Sequence, residues 1–374
     1  MMQHGKITWL VIMMLILLGG LQQGKVFAQA GEGNMVELTT FGVKRDGVTD
    51  DTAALQAALK SLKSGQTLHI PVGTYKISTI NMPAGVTLVG DVGTVIKGGG
   101  GGAEIINIST DHVTLKNLII DGDMKRKTAV KNDNANYTTL EKCEIRNTSG
   151  DTTMGSWAVW LKGGSNIAIK NCQIHDVSGP KNGKNGDNIG ANRAVVAWNV
   201  KKVSILNCVF SKVSGFEDGD CIQITGDSNW ISDATIQECT FSDFYKRAVK
   251  VQVSGVKVIN NTMVANQTAN NSATGKQFQA AISVLAKNTL VQGNMITLYH
   301  STQGIGVEGA NCKIIGNTVI VDKTGSNYST AGIYLSSDGS GGIIKNNIVK
   351  NIPAPNGIDF RTAKNVISIN NIIK

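Results

Sequence analysis

The chain has little proline, 5 residues in 374, against 43 glycines. That balance excludes long proline-stiffened linkers and points to many tight bends. Long apolar runs are also scarce. The one of any length, Ile7 to Leu18, is too short for a comfortable membrane span, and no later segment qualifies. No Cys-x-x-Cys pair or His-rich spacing suggests zinc, and the 5 His are scattered. Runs of Lys and Arg are missing too, as is any basic stripe interleaved with aromatics, so nothing suggests a nucleic-acid partner.

What is present begins with Lys6, the apolar run and then small residues, which read as a secretory signal over residues 1–28. Cleavage fits after Ala28, or after Ala30. No Cys follows the run, which argues against a lipid anchor. The expectation is export, to the outside or the periplasm, with no membrane attachment after cleavage. Losing Lys6 and Lys25 lowers the net charge from +9 to about +7, a weak preference for polyanions.

From about residue 115 onward one stretch recurs, with Ile205-Leu-Asn-Cys-Val-Phe210 as its clearest copy. Ten copies start 22 to 36 residues apart, within the range of solenoid repeats. The third residue is Asn or Gly in eight of ten, Lys142 and Glu238 being the exceptions; these types tolerate left-handed backbone. The fourth runs Leu118, Cys143, Cys172, Cys208, Cys239, then Asn261, Asn294, Asn317, Asn347, Asn371. No copy can bury a core alone. Stacked as parallel coils, the copies predict an interior of Ile, Val and Phe with a ladder of Cys and then Asn down one bend. Four of six Cys on one repeat position read as stacked thiols rather than disulfides.

Ahead of the repeats, Asp50, Asp51 and Thr52 open a helix running to about Lys63, with Leu55, Ala58, Leu59 and Leu62 as its apolar stripe. Such a helix would close the open end of a coil stack over about 51–63. The single domain is expected over 35–374, with long polar loops at 122–136 and 178–192.

Each coil also carries a second strand, such as Cys221-Ile-Gln-Ile224 and Ala248-Val-Lys-Val251. Its second and fourth residues should point inward, and its first and third outward. Small first residues would then leave a shallow trough on the outer face. Arg193, Asp220 and Arg247 immediately precede three of these strands, 27 residues apart each time. Alternation would turn them into the core, which is too costly for unpaired charge. They are therefore expected in the preceding bend, facing out. Arg193, Asp220, Gln223, Arg247, Lys250 and Gln252 should converge there, with Glu217 and Asp218 entering from a loop. The same charges also fit an ion-pair ladder bracing the coils. Trp160 and Trp198, with Trp157, lie one or two coils earlier and offer faces for sugar rings. Glu217, Asp218 and Asp220 are the candidate ligands for Ca²⁺, although calcium takes six to eight oxygens.

Asp46-Gly-Val-Thr-Asp-Asp-Thr52 with its helix, then Ile70-Pro-Val-Gly-Thr-Tyr75, resembles the N-terminal signature of the pectate-lyase-like superfamily, which includes rhamnogalacturonase- and epimerase-like proteins. The resemblance implies an all-β, single-stranded right-handed parallel β-helix, of about ten to twelve coils, and an acidic polysaccharide as partner. Asp220-Cys-Ile222 is similar to the Asp-Asp-Cys segment of polygalacturonases. Gly219 replaces its first aspartate, Arg193 the preceding coil's aspartate and Arg247 the following coil's histidine.

A glycoside hydrolase wants two carboxylates at a defined separation. A lyase wants cations that neutralise a uronate and a base that takes the adjacent C–H proton. Arg193 and Arg247 suit the first task. Lys250 suits the second, because lysine shifts its pKa readily and arginine does not. The expected activity is therefore a polysaccharide lyase, with Lys250, Arg247 and Asp220 catalytic and Arg193, Gln223, Gln252, Trp160 and Trp198 binding substrate. A hydrolase, or a β-helix that binds polysaccharide without turnover, are the alternatives.

Overall fold

The computed structural model describes residues 34–100, 103–151, 154–179, 191–214, 219–265, 280–299, 303–321, 331–352 and 356–374. Its first compact unit, Met1–Met35, falls almost wholly outside them and takes the expected export signal with it. Among the described residues no helix is long and apolar enough to cross a membrane.

The second unit, Val36–Lys374, is a right-handed parallel β-helix. Its coils contribute to three parallel sheets of 13, 13 and 11 strands, and chain order is kept within each. Sheet 1 ends at Ile367–Ile369, sheet 2 at Ile372–Ile373 and sheet 3 at Ile358–Asp359. The rungs slightly exceed the ten to twelve expected. Segments upstream of the repeat, such as Asp46–Asp50 and Thr74–Ile77, join the sheets without carrying its motif.

The recurring stretch is the corner between sheets 1 and 2. In the Ile205 copy, Lys201–Leu206 ends, Asn207 turns at φ 50°, and Val209–Val213 begins. All ten third positions are left-handed, including Lys142 at 53° and Glu238 at 55°. The stacked corner thus imposes its geometry even on residues that pay a steric cost for it. Below the corner the ladder residues from Leu118 to Asn347 are buried, and Ile205, Phe210, Ile236 and Phe241 line the core. Phe210 and Phe241 stack face to face at 5.0 Å, and all six cysteines are free thiols.

At the N-terminal end, helix α1 (Thr52–Ser61) buries Leu55, Ala58 and Leu59. Its Gln56 side chain donates to the Asn81 carbonyl at 3.0 Å and accepts the Asn81 amide at 2.8 Å. A side-chain amide thereby stands in for the next strand along the first edge of sheet 3. The aspartates act differently from the expectation. Asp51 occupies the cap position but makes no side-chain cap bond; its carboxylate turns back to accept the amides of Lys44 (2.7 Å) and Arg45 (2.9 Å). Asp50 instead accepts the Thr52 amide at 2.9 Å.

Candidate functional site

Sheet 3 carries the charged patch. Strands Arg193–Trp198, Asp220–Thr225, Arg247–Val251 and Ile282–Val284 are consecutive neighbours. Arg193 pairs with Asp220 and Asp220 with Arg247, while Gln223 pairs with Lys250 and Lys250 with Ser283.

The route by which these residues face outward corrects the sequence reading twice. Arg193, Asp220 and Arg247 are the first residues of their strands, not part of the preceding bend. The small residues that follow, Ala194, Cys221 and Ala248, join the hydrophobic core instead of flooring an outer trough. Alternation breaks between these residues and the next. Ala248 and Val249 both donate their amides to the Ala281 carbonyl at 3.0 Å, the mark of a bulge. That irregularity puts Asp220 and Arg247 on the same side as Lys250 and Ser283. It also seals Cys221 in the core, where burial pushes its thiol well above the ordinary value.

Asp220 is the centre of the cluster and is fully buried. Its Oδ1 accepts Arg247 Nη1 at 3.0 Å; its Oδ2 lies 3.9 Å from both Arg193 Nε and Lys250 Nζ. Arg247 Nε donates to Ser283 Oγ at 3.1 Å. Arg193 donates to the Ala191 carbonyl at 3.1 Å and lies over the Trp157 ring at 5.8 Å. The described members of the cluster are one carboxylate and three cations, and cations of this kind can pair with an anionic group. Lys250 is the most open of the four, with 13% of its side chain exposed against 0–6% for the others. Gln223 donates to Gln252 beside it.

The two tryptophans lie apart from this cluster. Trp160 faces out one coil earlier, edge-on to Trp157 at 5.1 Å and under Lys131 Nζ at 5.1 Å. Trp198, 43% exposed, stands at the far end of its strand. Glu217 and Asp218 lie outside the described residues. The remaining calcium candidate, Asp220, accepts Arg247 and has Arg193 and Lys250 within 4 Å. No group of three or more His, Cys, Asp or Glu able to hold a metal occurs among the described residues.

Sequence reasoning missed two positioning residues. Ser283, on the next coil, accepts Arg247 Nε and is one of them. Asn192 accepts the Ser156 amide at 2.8 Å and donates to the Ser214 carbonyl at 2.7 Å, so it anchors the start of the Arg193 strand between neighbouring coils. Its place directly before Arg193 was the signal available.

Stacked parallel coils with an outward-facing charged row place the protein in the β-helix class. Residues 35–276 match the family described as rhamnogalacturonase A/epimerase, pectate lyase-like, and the chain belongs to that family. Residues 220–374 also match the right-handed β-helix region. Its fold is similar to that of PfbA, a surface protein and adhesin of Streptococcus pneumoniae, at 13% identity and TM-score 0.70, over 91% of this chain and 97% of that one. It is also similar to a hyperthermoactive exopolygalacturonase of Thermotoga maritima, at 12% identity and TM-score 0.60, over 91% of each chain. A Paenibacillus alginate lyase aligns at 16% identity and TM-score 0.50, over 85% of this chain and 96% of that one. Among curated relatives, the mannuronan C5-epimerase AlgE3 of Azotobacter vinelandii is 33% identical over 92 residues, 24% of this chain. The chain spans only 5–12% of the length of the curated relatives it matches.

Proposed function

We propose that this protein is an exported polysaccharide lyase that cleaves a uronic-acid-containing polymer by β-elimination. The observation that carries the reading is the placement of Lys250. It is the most exposed cation of the cluster, in register with Gln223 and 3.9 Å from Asp220, with Arg247 and Arg193 on the same face. The arginines pair with the uronate carboxylate and stabilise the charge that builds on it as the adjacent C–H bond breaks. Lys250 takes that proton as its neutral amine; the C–H electron pair forms the C=C bond, the C–O bond at the β-carbon breaks, and the leaving glycosidic oxygen takes a proton from water. Asp220 holds both arginines and the lysine in place. Membership of the pectate-lyase-like family supports a carbohydrate substrate.

Incubation with a panel of uronic-acid polymers tests this. Unsaturated products that absorb in the near ultraviolet support the lyase; new reducing ends without absorbance, or retention without products, overturn it. Lys250→Ala should abolish turnover on the polymer that is cleaved, with folding intact, because a partly exposed strand residue contributes little to the core. Asp220→Ala should instead cost stability, about 3–5 kcal/mol in urea denaturation, because it strands buried cations. Full activity in Lys250→Ala would remove the base assignment.

A further inference from the structure

The coils turn a second time near the end of sheet 2. In four successive strands one residue leaves the extended conformation: Asn147 (φ 55°), Asp176 (52°), Lys212 (51°) and Asp243 (50°). Pairing resumes at the next residue in common register, Thr148 with Val177, Val177 with Val213, and Val213 with Phe244. The four side chains therefore form a row along the coil axis with a step of roughly 4.8 Å. Beside the row lies a cavity of about 500 Å³, completed by Ser178 and Ser214. Met124, 51% exposed, lines it one coil earlier and donates its amide to the Asn147 carbonyl at 2.7 Å. None of Arg193, Asp220, Arg247 or Lys250 lines this cavity.

Its chemistry is the reverse of the sheet 3 cluster. Asp176 and Asp243 stand on either side of Lys212, so among the described residues the lining carries two carboxylates to one ammonium. Asp176 Oδ1 lies 3.5 Å from Lys212 Nζ, and its Oδ2 lies 2.6 Å from His175 Nδ1. A polyuronate would meet like charge here. A hydroxyl group suits every polar lining residue, since it donates to carboxylate and serine oxygens and accepts from ammonium and amide. The volume falls in the range of small-molecule sites, and the row runs along the coil axis over four coils. We infer that this groove is a second saccharide-binding site, which takes an uncharged oligosaccharide laid along the coil axis. It is independent of any elimination on sheet 3.

The test is saturation-transfer NMR and calorimetry on the full chain. The probes are maltotetraose, cellotetraose, mannotetraose and a β-linked galactotetraose, with tetragalacturonate as the anionic counterpart. At least one neutral tetrasaccharide is expected to bind. Asp176→Asn combined with Asp243→Asn should weaken it about tenfold. Lys212→Asn keeps a residue type that tolerates the left-handed turn and should weaken binding about fivefold. Lys250→Ala should leave it unchanged. The inference is overturned if no neutral probe binds, if binding ignores both groove variants while they melt like the parent, or if tetragalacturonate displaces the neutral sugar from the groove. Loss of lyase activity in Lys250→Ala with neutral binding retained would keep the two sites distinct.

Discussion

The two halves of the internal ladder do the same backbone task with different chemistry. From Asn294 onward each asparagine Oδ1 accepts the amide and the Nδ2 of the preceding rung at 2.9–3.0 Å, as Asn317 does for Asn294. Each Nδ2 also donates to a core-side carbonyl, such as Val291 O at 2.9 Å from Asn317. From Cys143 to Cys239 a thiol replaces the amide. Each thiol donates to a carbonyl one rung back at 3.5–3.6 Å, and from Cys172 onward each accepts the preceding amide at 3.4–3.5 Å. A thiol offers one weak donor and a weak acceptor, so the cysteine half has far less hydrogen bonding to lose. That half carries Phe210, Phe241 and Phe244 in its core, and the asparagine half has Met263, Ile296 and Val319 at the matching rungs. Where hydrogen bonding is weak, aromatic packing is heavy. The two halves join directly, with the Cys239 amide donating to Asn261 Oδ1 at 2.9 Å. The sheet 3 cluster sits on the cysteine half.

The contrast breaks most sharply at Asn317. Asn317→Ala strands the Asn294 amide and the Val291 carbonyl in the core and should cost about 2–4 kcal/mol in urea unfolding. In the cysteine half, Cys208→Ala removes a small apolar group and two weak bonds, and should cost about 1 kcal/mol. Equal losses at the two positions would refute the division of labour drawn here. Phe241→Ala should reverse the order within the cysteine half, at about 3–5 kcal/mol, because there packing carries the load.

The smallest effect is one of pH. Amides do not titrate, and the Cys208 thiol is pushed up to about 12, since its hydrogen bond with Cys172 lowers it but the one with Cys239 and burial outweigh that, so the gap between the Asn317 and Cys208 variants should stay flat from pH 5 to 8. His69 is different. Burial opposes its charge, but the carboxylates of Glu37 (2.8 Å) and Asp91 (3.0 Å) outweigh that and hold its pKa above 6.5. A raised folded-state pKa gives stability that is complete below 6.5 and fades as pH climbs through the raised value. Unfolding measured at rising pH should show a small loss there, absent in His69→Gln. A loss on acidification through that window would have the wrong sign for this account.

Much of this was readable beforehand. The repeat announced the corner, its left-handed third residue and the buried fourth, because each is a local requirement met once per coil. Lys142 and Glu238 broke the composition of the pattern and still adopted its backbone, since their neighbours above and below leave the corner one shape. The cluster was half legible. Equal spacing put Arg193, Asp220 and Arg247 in line, but strict alternation mispredicted both the residues that follow them and the reason they face out.

The sequence by itself determined the stack, its register and the switch from thiol to amide, because side-chain period and bend preference act within a single coil. Tertiary structure alone decided which way the charged row points. The bulge at Ala248 exists only where the Ala281 carbonyl of the next coil accepts two amides at once, and Arg247 finds Ser283 only across that same interface. The bonds that Asn192 and Arg247 make to the next coil span 22 and 36 residues of chain, and no local pattern records whether a carbonyl takes one donor or two.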